Sequence, residues 1–189
     1  MIDFMQEIEV KILEVNRTKI ENILLDIGAK KIFDDEIEAF FFDFKNKSVS
    51  RSKSVMRLRK EGKQAILTYK TIIGVKGAKV AEEQSVEVSD IDEMKKILIS
   101  LGLSIKKFTQ KHRTSYQIEN VHFDFDCYKG ENDFIPEFME IEADSLETIY
   151  KYASILGFKN EDCLPWSTTD LIKHYAPARY KLLDKHRFR

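Results

Sequence analysis

Cysteine is scarce in this chain, which has only Cys127 and Cys163 among its 189 residues. Because no CxxC pair is present, the sequence does not indicate a zinc knuckle, and two reduced thiols are expected in preference to a disulfide. Long apolar runs are missing as well. None approaches the ~18 residues of a membrane-spanning helix, and Met1 to Lys11 has no apolar signal-peptide core. We therefore expect a cytoplasmic protein with no membrane partner.

Proline and glycine are also few, at 3 and 7 residues. No linker-like, repetitive or low-complexity segment interrupts the chain, which favours a single domain over 1–189. An excess of one charge sign is missing too, since 31 Lys and Arg nearly balance 32 Asp and Glu. Nucleic-acid-binding proteins usually have a basic excess, so no nucleic-acid partner is expected. Net charge does not exclude a local basic cavity.

The main pattern that the sequence does contain is strict alternation of charged and apolar residues. In 7–12 the odd positions are charged and the even positions apolar, a period of two that predicts a β-strand. Tight turns between sequential runs favour an antiparallel sheet. The predicted strands are at 7–12, 37–44, 56–60, 65–70, 80–88, 107–118, 121–128 and 138–143. The predicted helices are at 17–28, 91–101, 145–157 and 170–175.

The charged residues of these strands fall on one face of the sheet and the apolar residues on the other. The charged face holds Glu7, Glu9, Lys11, Arg57, Arg59, Lys70, Glu83, Glu87, Lys111, Arg113, Asp124, Asp126, Glu140 and Glu142. One interpretation is a half-exposed sheet whose charged side faces water. The other is a closed barrel with the charges inside. The barrel is favoured because three amphipathic helices need an apolar sheet surface on which to pack.

The acids on this face are suited to metal binding. Glu7 and Glu9, two residues apart on a strand, point their carboxylates to the same side, and Glu140 and Glu142 repeat that arrangement. Carboxylate oxygens suit Mg²⁺ or Mn²⁺, which bind phosphate oxygens as well.

The basic residues on the same face are suited to phosphate binding. Arg57, Arg59 and Arg113 offer planar guanidinium groups that match phosphate oxygens, while Lys11 and Lys70 add compact positive charge. The acids and bases together therefore predict a site for a polyphosphate and a divalent metal.

These motifs resemble those of the CYTH superfamily, the triphosphate tunnel metalloenzymes. Glu7-x-Glu9-x-Lys11 is similar to the ExExK motif of that family. The further matches are Met56-Arg57-Leu58-Arg59 to the RLR strand, Leu67-Thr68-Tyr69-Lys70 to the LTxK strand, Lys111-His112-Arg113 to the KxR strand, and Ile135 to Glu142 to the closing EIE strand. The resemblance covers about 5–175 and leaves a basic tail at 176–189.

The resemblance implies an α+β fold, an eight-stranded antiparallel barrel that forms the triphosphate tunnel, with helices packed outside. The implied metal-side acids are Glu7, Glu9, Glu140, Glu142 and one Asp. The implied triphosphate ligands are Lys11, Arg57, Arg59, Lys70 and Arg113, to which the basic strand adds Lys111. The residues assigned to catalysis are Glu7, Glu9, Lys11 and Glu142.

The identity of the metal-side Asp is the point at which the sequence departs from the family pattern. The family has an Asp closely upstream of EIE, whereas 129–134 is inserted here. Asp124 and Asp126 both lie on the charged face. Asp126 is favoured because Asp-x-aromatic resembles one bacterial branch of the family.

The resemblance also implies an enzyme that acts on a triphosphate with Mg²⁺ or Mn²⁺. Hydrolysis of the terminal phosphate of tripolyphosphate, ATP or thiamine triphosphate is favoured, because the visible residues require only a triphosphate. A class IV adenylate cyclase, which converts ATP to cyclic AMP and pyrophosphate, would need an adenine pocket, for which no motif is evident. A non-catalytic polyphosphate-binding module is a lesser alternative. A homodimer is expected by analogy with family relatives alone.

Overall fold

The computed structural model describes the backbone of residues 5–181 and the side chains of 8–74 and 77–181. The strands are β1 (Met5–Leu13), β2 (Lys30–Phe44), β3 (Ser54–Glu61), β4 (Gln64–Lys76), β5 (Ala78–Val88), β6 (Leu103–Ile118), β7 (Val121–Lys129) and β8 (Phe138–Ala143). The α-helices are α1 (Arg17–Asp26), α2 (Ser48–Arg51), α3 (Ile91–Ser100), α4 (Leu146–Ile155) and α5 (Thr168–Tyr175). Short 3₁₀ turns lie at Gly130–Asn132 and Asn160–Asp162, and 177–181 is helical.

The strands form one closed antiparallel barrel in the order β1-β5-β4-β3-β2-β6-β7-β8. Closure is made by β1 and β8, which pair from Ile8 opposite Ala143 to Leu13 opposite Phe138. The predicted eight-stranded barrel is therefore confirmed. The half-exposed sheet is ruled out, because one face of a closed barrel lies inside.

The helices cover the apolar outer face of the barrel, as the amphipathic patterns predict. Leu24 of α1 and Ile149 of α4 are fully buried in the same cluster as Phe123 and Ile141, which project outward from β7 and β8. A second cluster joins Leu98 of α3 to the outer side of β2, β3 and β6. The apolar face thus has its own cover, and the charged face is left to line the interior.

A third apolar cluster lies at one end of the barrel and involves α5. Leu171 and Ile172 of this helix pack with Tyr128 of β7 and Phe138 of β8. Phe138 is directly opposite Asp126 in the β7–β8 pairing, so it shares the inner face with the charged residues. The final helix therefore packs on side chains that line the interior.

Two elements extend beyond what the sequence pattern predicts. β2 begins at Lys30, seven residues before 37, because its first half pairs with β6 while its side chains stay largely exposed, so no burial alternation marks it. The short helix α2 has no counterpart among the predicted helices. It is held by buried Asp43, whose carboxylate accepts hydrogen bonds from the backbone N–H groups of Val49 and Ser50 at 3.0 and 3.1 Å.

The fold also shows the state of the two cysteines and the lengths of the apolar helices. Cys127 is exposed and Cys163 buried, and both are free thiols. Within 5–181, none of the helices is long and apolar enough to cross a membrane.

The burial of α1 gives a matched pair of substitutions on one helix. Leu24→Ala removes a fully buried side chain and leaves a cavity, so we expect it to lower the free energy of unfolding by about 2–5 kcal/mol. Leu25→Ala removes the same atoms from a side chain that is 55% exposed, so we expect a change within about 0.5 kcal/mol. Urea denaturation measures both. Equal losses would show that α1 does not pack on the barrel in this orientation.

Candidate active site inside the barrel

The registers of the eight strands show which charged side chains share the interior. Directly opposed residues on adjacent strands point to the same face. Glu9 of β1 is opposite Glu142 of β8 on one side and Lys79 of β5 on the other, and Lys11 is opposite Glu140. The same comparison on the other strands brings the predicted charged face together on the inner wall. The backbone of Glu7 lies in β1, but its side chain is outside the described part.

The first group of interior charges is an ion-pair network across β1, β6, β7 and β8. Lys11 pairs with Glu140, and Arg113 pairs with Asp124, with Asp126 at 2.6 Å and with Glu140 at 2.6 Å. Burial opposes charge on Lys11, Arg113 and Glu140, but the opposite charges outweigh it. They hold the pKa of Glu140 well below its usual range and raise the pKa of Lys11 and of Arg113.

Asp126 and Asp124 differ in how tightly they are held. The side chain of Asp126 is fully buried, and it accepts hydrogen bonds from Lys111 at 2.5 Å and from Arg113 at 2.6 and 2.7 Å. Asp124 pairs with Arg113, and burial raises its pKa in spite of that pairing. Asp126 thus anchors two basic side chains. Its assignment as the metal-side Asp stays a prediction.

A second group of charges surrounds Glu9. Its carboxylate lies 2.6 Å from Lys79, 3.6 Å from Lys11 and 3.8 Å from Lys70. Burial alone would raise the pKa of Glu9, but Lys11 and Lys79 leave it below its ordinary value. Lys79 was missing from the predicted face because the sequence pattern placed the start of that strand at Val80. A predicted strand that began one residue earlier would have included Lys79 on the charged face.

Glu142 is an interior acid whose charge is poorly compensated among the described residues. Burial, then the nearby charges of Asp124 and Glu9, raise its pKa to about 7. Its neighbour across the β1–β8 pairing is Glu9, so one acid from each end of the chain lies side by side. Their adjacency follows from closure of the barrel by its first and last strands.

The arginines of β3 are incompletely satisfied. Arg57 and Arg59 each have a buried Nε atom with no hydrogen-bond partner in the described structure. The Nε of Arg59 lies 2.9 Å from a carboxylate oxygen of Glu61 without forming a hydrogen bond. Burial and then the charge of Arg57 lower the pKa of Arg59 to about 10. Buried guanidinium groups with unused donors are suited to an anion with several oxygens, such as a phosphate chain.

The acids fit a hard divalent cation by donor type and by charge. Mg²⁺ and Mn²⁺ take carboxylate oxygens, and the repulsion that raises the pKa of Glu142 is what a bound cation would relieve. Among the side chains that the structure describes, no group of three or more His, Cys, Asp or Glu stands ready to hold a metal ion. Glu9 and Glu140 point at lysines instead. The four-carboxylate metal site therefore stays a prediction.

Comparison with known proteins adds a family and a set of related folds. A family model described as the CYTH domain matches residues 5–151. A curated protein of Methanocaldococcus jannaschii, named "Putative adenylate cyclase MJ0240", is 26% identical over 138 residues, which cover 73% of this chain and 77% of that protein.

Two solved structures show how far the fold is shared. The PH1012 protein of Pyrococcus horikoshii OT3 has a TM-score of 0.70 at 27% identity and covers 85% of this chain and 96% of its own. HpAC1 of Hippeastrum, described as a "Putative adenylyl cyclase" that "reveals a dominant triphophatase activity", has a TM-score of 0.59 at 15% identity over 82% of this chain and 87% of its own. The latter likeness concerns the fold alone.

The two interior aspartates give a prediction about stability. Asp126→Asn removes the charge that holds Lys111 and Arg113 in a fully buried position, so we expect the free energy of unfolding to fall by about 3–5 kcal/mol. Asp124→Asn should cost clearly less, because burial already disfavours the charge of Asp124. Chemical denaturation at neutral pH compares the two variants. A larger loss for Asp124→Asn would contradict the anchoring role of Asp126.

Glu142 gives a prediction about pH. Its folded-state pKa of about 7 lies above the ordinary value of 4.5, so the folded state keeps the proton longer than the unfolded chain does. Stability is therefore lost as the pH rises between these values, by on the order of 3 kcal/mol. Denaturation in EDTA from about pH 5 to about pH 8 measures this decline. Glu142→Gln should remove it, and Glu87→Gln, at an exposed position of β5, should not. An undiminished decline in Glu142→Gln would refute the assignment.

Proposed function

The chain belongs to the CYTH domain family, and from that premise we propose that it is a Mg²⁺- or Mn²⁺-dependent enzyme that hydrolyses the terminal phosphate of a triphosphate. The observation that carries the proposal is the pair Arg57 and Arg59, whose buried Nε donors have no hydrogen-bond partner in the described part of the chain. An anion that enters the barrel would satisfy them. The carboxylates of β1, β7 and β8 line the same interior, which supports chemistry on the anion in preference to simple storage.

The basic side chains are proposed to bind and orient the triphosphate. Arg57 and Arg59 offer unused donors, and Lys70 and Lys111 are positive groups whose pKa burial lowers. Lys11 and Arg113 already pair with Glu140, so a phosphate beside them would share cations that the fold has fixed in place. Such fixed charges stabilise a transferring phosphoryl group without reorganisation during the reaction.

The acids are proposed to hold the metal and to orient water. Glu9, Glu140 and Glu142 would hold the cation, with Glu7 and Asp126 as the further predicted members of the set. A bound Mg²⁺ or Mn²⁺ would neutralise negative charge on the phosphate oxygens. We also assign Glu142 to the attacking water, because a carboxylate oxygen that accepts a hydrogen bond from this water would orient it for attack.

The alternative is an adenylate cyclase that forms cyclic AMP and pyrophosphate from ATP. It is favoured by one observation, the name of the M. jannaschii relative, which is 26% identical to this chain. Hydrolysis is preferred because the inner wall displays partners for phosphate and metal, and these suffice for attack by water.

Product analysis tests the proposal. Purified protein is incubated with tripolyphosphate, ATP or thiamine triphosphate and Mg²⁺ or Mn²⁺, and orthophosphate, pyrophosphate and cyclic AMP are measured. We expect metal-dependent release of orthophosphate from at least one substrate, and Arg59→Ala should weaken substrate binding by about 1.5–3 kcal/mol because it removes a charge-assisted contact.

Lys96→Ala is the control, because Lys96 is an exposed residue of α3. Its effect on substrate binding should be negligible. Cyclic AMP with stoichiometric pyrophosphate would establish the cyclase instead. Tight binding of all three substrates without any product, at every metal concentration, would establish a binding module.

A further inference from the structure

Lys107 is an interior lysine that neither the motifs nor the ion-pair networks include. It lies on β6 directly opposite Phe41 of β2, and Phe41 is directly opposite Arg57 of β3. Opposed residues share a face, so Lys107 and Arg57 are on the same inner wall with one strand between them. Two strand spacings put their Cα atoms about 10 Å apart.

The orientation of Lys107 is set by a local irregularity. The β2–β6 register shifts between Phe41 and Phe42, which pair with Lys107 and Ile105. Lys106 is therefore the extra residue of a bulge, and its side chain is exposed. The Nζ atom of Lys107 lies 5.5 Å from the centroid of the Phe41 ring, which confirms that the lysine stays with the inward-facing ring.

Lys107 lacks the compensation that the other described interior lysines have. Lys11, Lys79 and Lys111 each form an ion pair with an acid. In the described part of the chain, no acid lies within ion-pair distance of Lys107. Burial lowers its pKa, and no neighbouring charge modifies it. A half-buried ammonium group whose described partner is an aromatic ring alone would gain from a ligand that pairs with it.

The charges of the wall are therefore distributed unevenly. Near β1, β7 and β8 the cations are matched by acids, as Arg113 is by Glu140. Towards Arg57 and Lys107 the matching is partial: the charge of Arg57 lowers the pKa of Glu83, but among the described residues the Nε of Arg57 has no hydrogen-bond partner and Lys107 forms no ion pair. That end of the wall therefore keeps cationic groups that suit a continuation of the same anion.

We propose that Lys107 is a phosphate-binding residue that extends the basic wall beyond Arg57 and contacts the phosphate farthest from the carboxylates. The assignment rests on the proposed function, since it concerns the same site. It predicts that the site measures the length of a phosphate chain. A pyrophosphate held by Arg113 and Arg59 would not reach Lys107, whereas a longer linear polyphosphate would.

Calorimetric binding of pyrophosphate, tripolyphosphate and tetrapolyphosphate in EDTA tests this assignment. For Lys107→Gln we expect the affinity for the two longer chains to fall about tenfold, and the affinity for pyrophosphate to stay within about twofold of the wild type. Lys106→Gln, which removes the same charge from the exposed neighbour, should leave all three within about twofold. Lys107→Arg should retain the preference for longer chains.

The outcomes separate this assignment from the proposed function. If the wild type binds none of the three anions, both fall. If the wild type binds tripolyphosphate and Lys107→Gln binds it equally well, only the role of Lys107 falls. Equal weakening of all three anions, or a loss no greater than that of Lys106→Gln, also overturns the role, because either would reflect general electrostatics. Far-ultraviolet circular dichroism of each variant verifies that it is folded.

Discussion

Closure of the barrel by β1 and β8 is the constraint on which the rest of the structure depends. A closed sheet has one face that is largely shielded from bulk water, and here that face is the charged one. A buried charge costs several kcal/mol unless it is paired. The fold therefore has to supply counter-charges from distant parts of the sequence, and it does so when Lys11 of the first strand meets Glu140 of the last.

The charges inside the barrel are incompletely compensated, and both negative and positive groups are affected. Around Glu142 the acids exceed the cations, and the pKa of this group rises to about 7. Around Arg57 and Arg59 the hydrogen bonding is incomplete, and two buried Nε donors have no hydrogen-bond partner among the described residues. A ligand that carries both a divalent cation and several phosphate oxygens would relieve both imbalances at once. Neither imbalance alone would indicate so specific a ligand.

The sequence predicted the fold well because alternation over eight strands separates two faces without knowledge of the pairing. It was less informative where the physical signal is local. The first half of β2 is exposed and so shows no alternation, and Lys79 lay one residue outside a predicted strand. The sequence does not show which of the consecutive lysines Lys106 and Lys107 points inward, because a β-bulge sets their orientation. The state of Glu142 depends on neighbours from three strands and could not be read from one.

The arrangement also bears on why one tunnel is associated with names as different as adenylate cyclase and triphosphatase. The described side chains of the wall are charged, and in the proposed function they would hold a phosphate chain by its oxygens, whatever group the chain carries. The reaction would then be set by which phosphorus lies beside the carboxylates and by which nucleophile reaches it. Both depend on where the chain stops along the wall. On that proposal the distribution of cations from Arg113 to Arg57 would govern the chemistry as much as the acids do, because it would fix the position at which the acids can act.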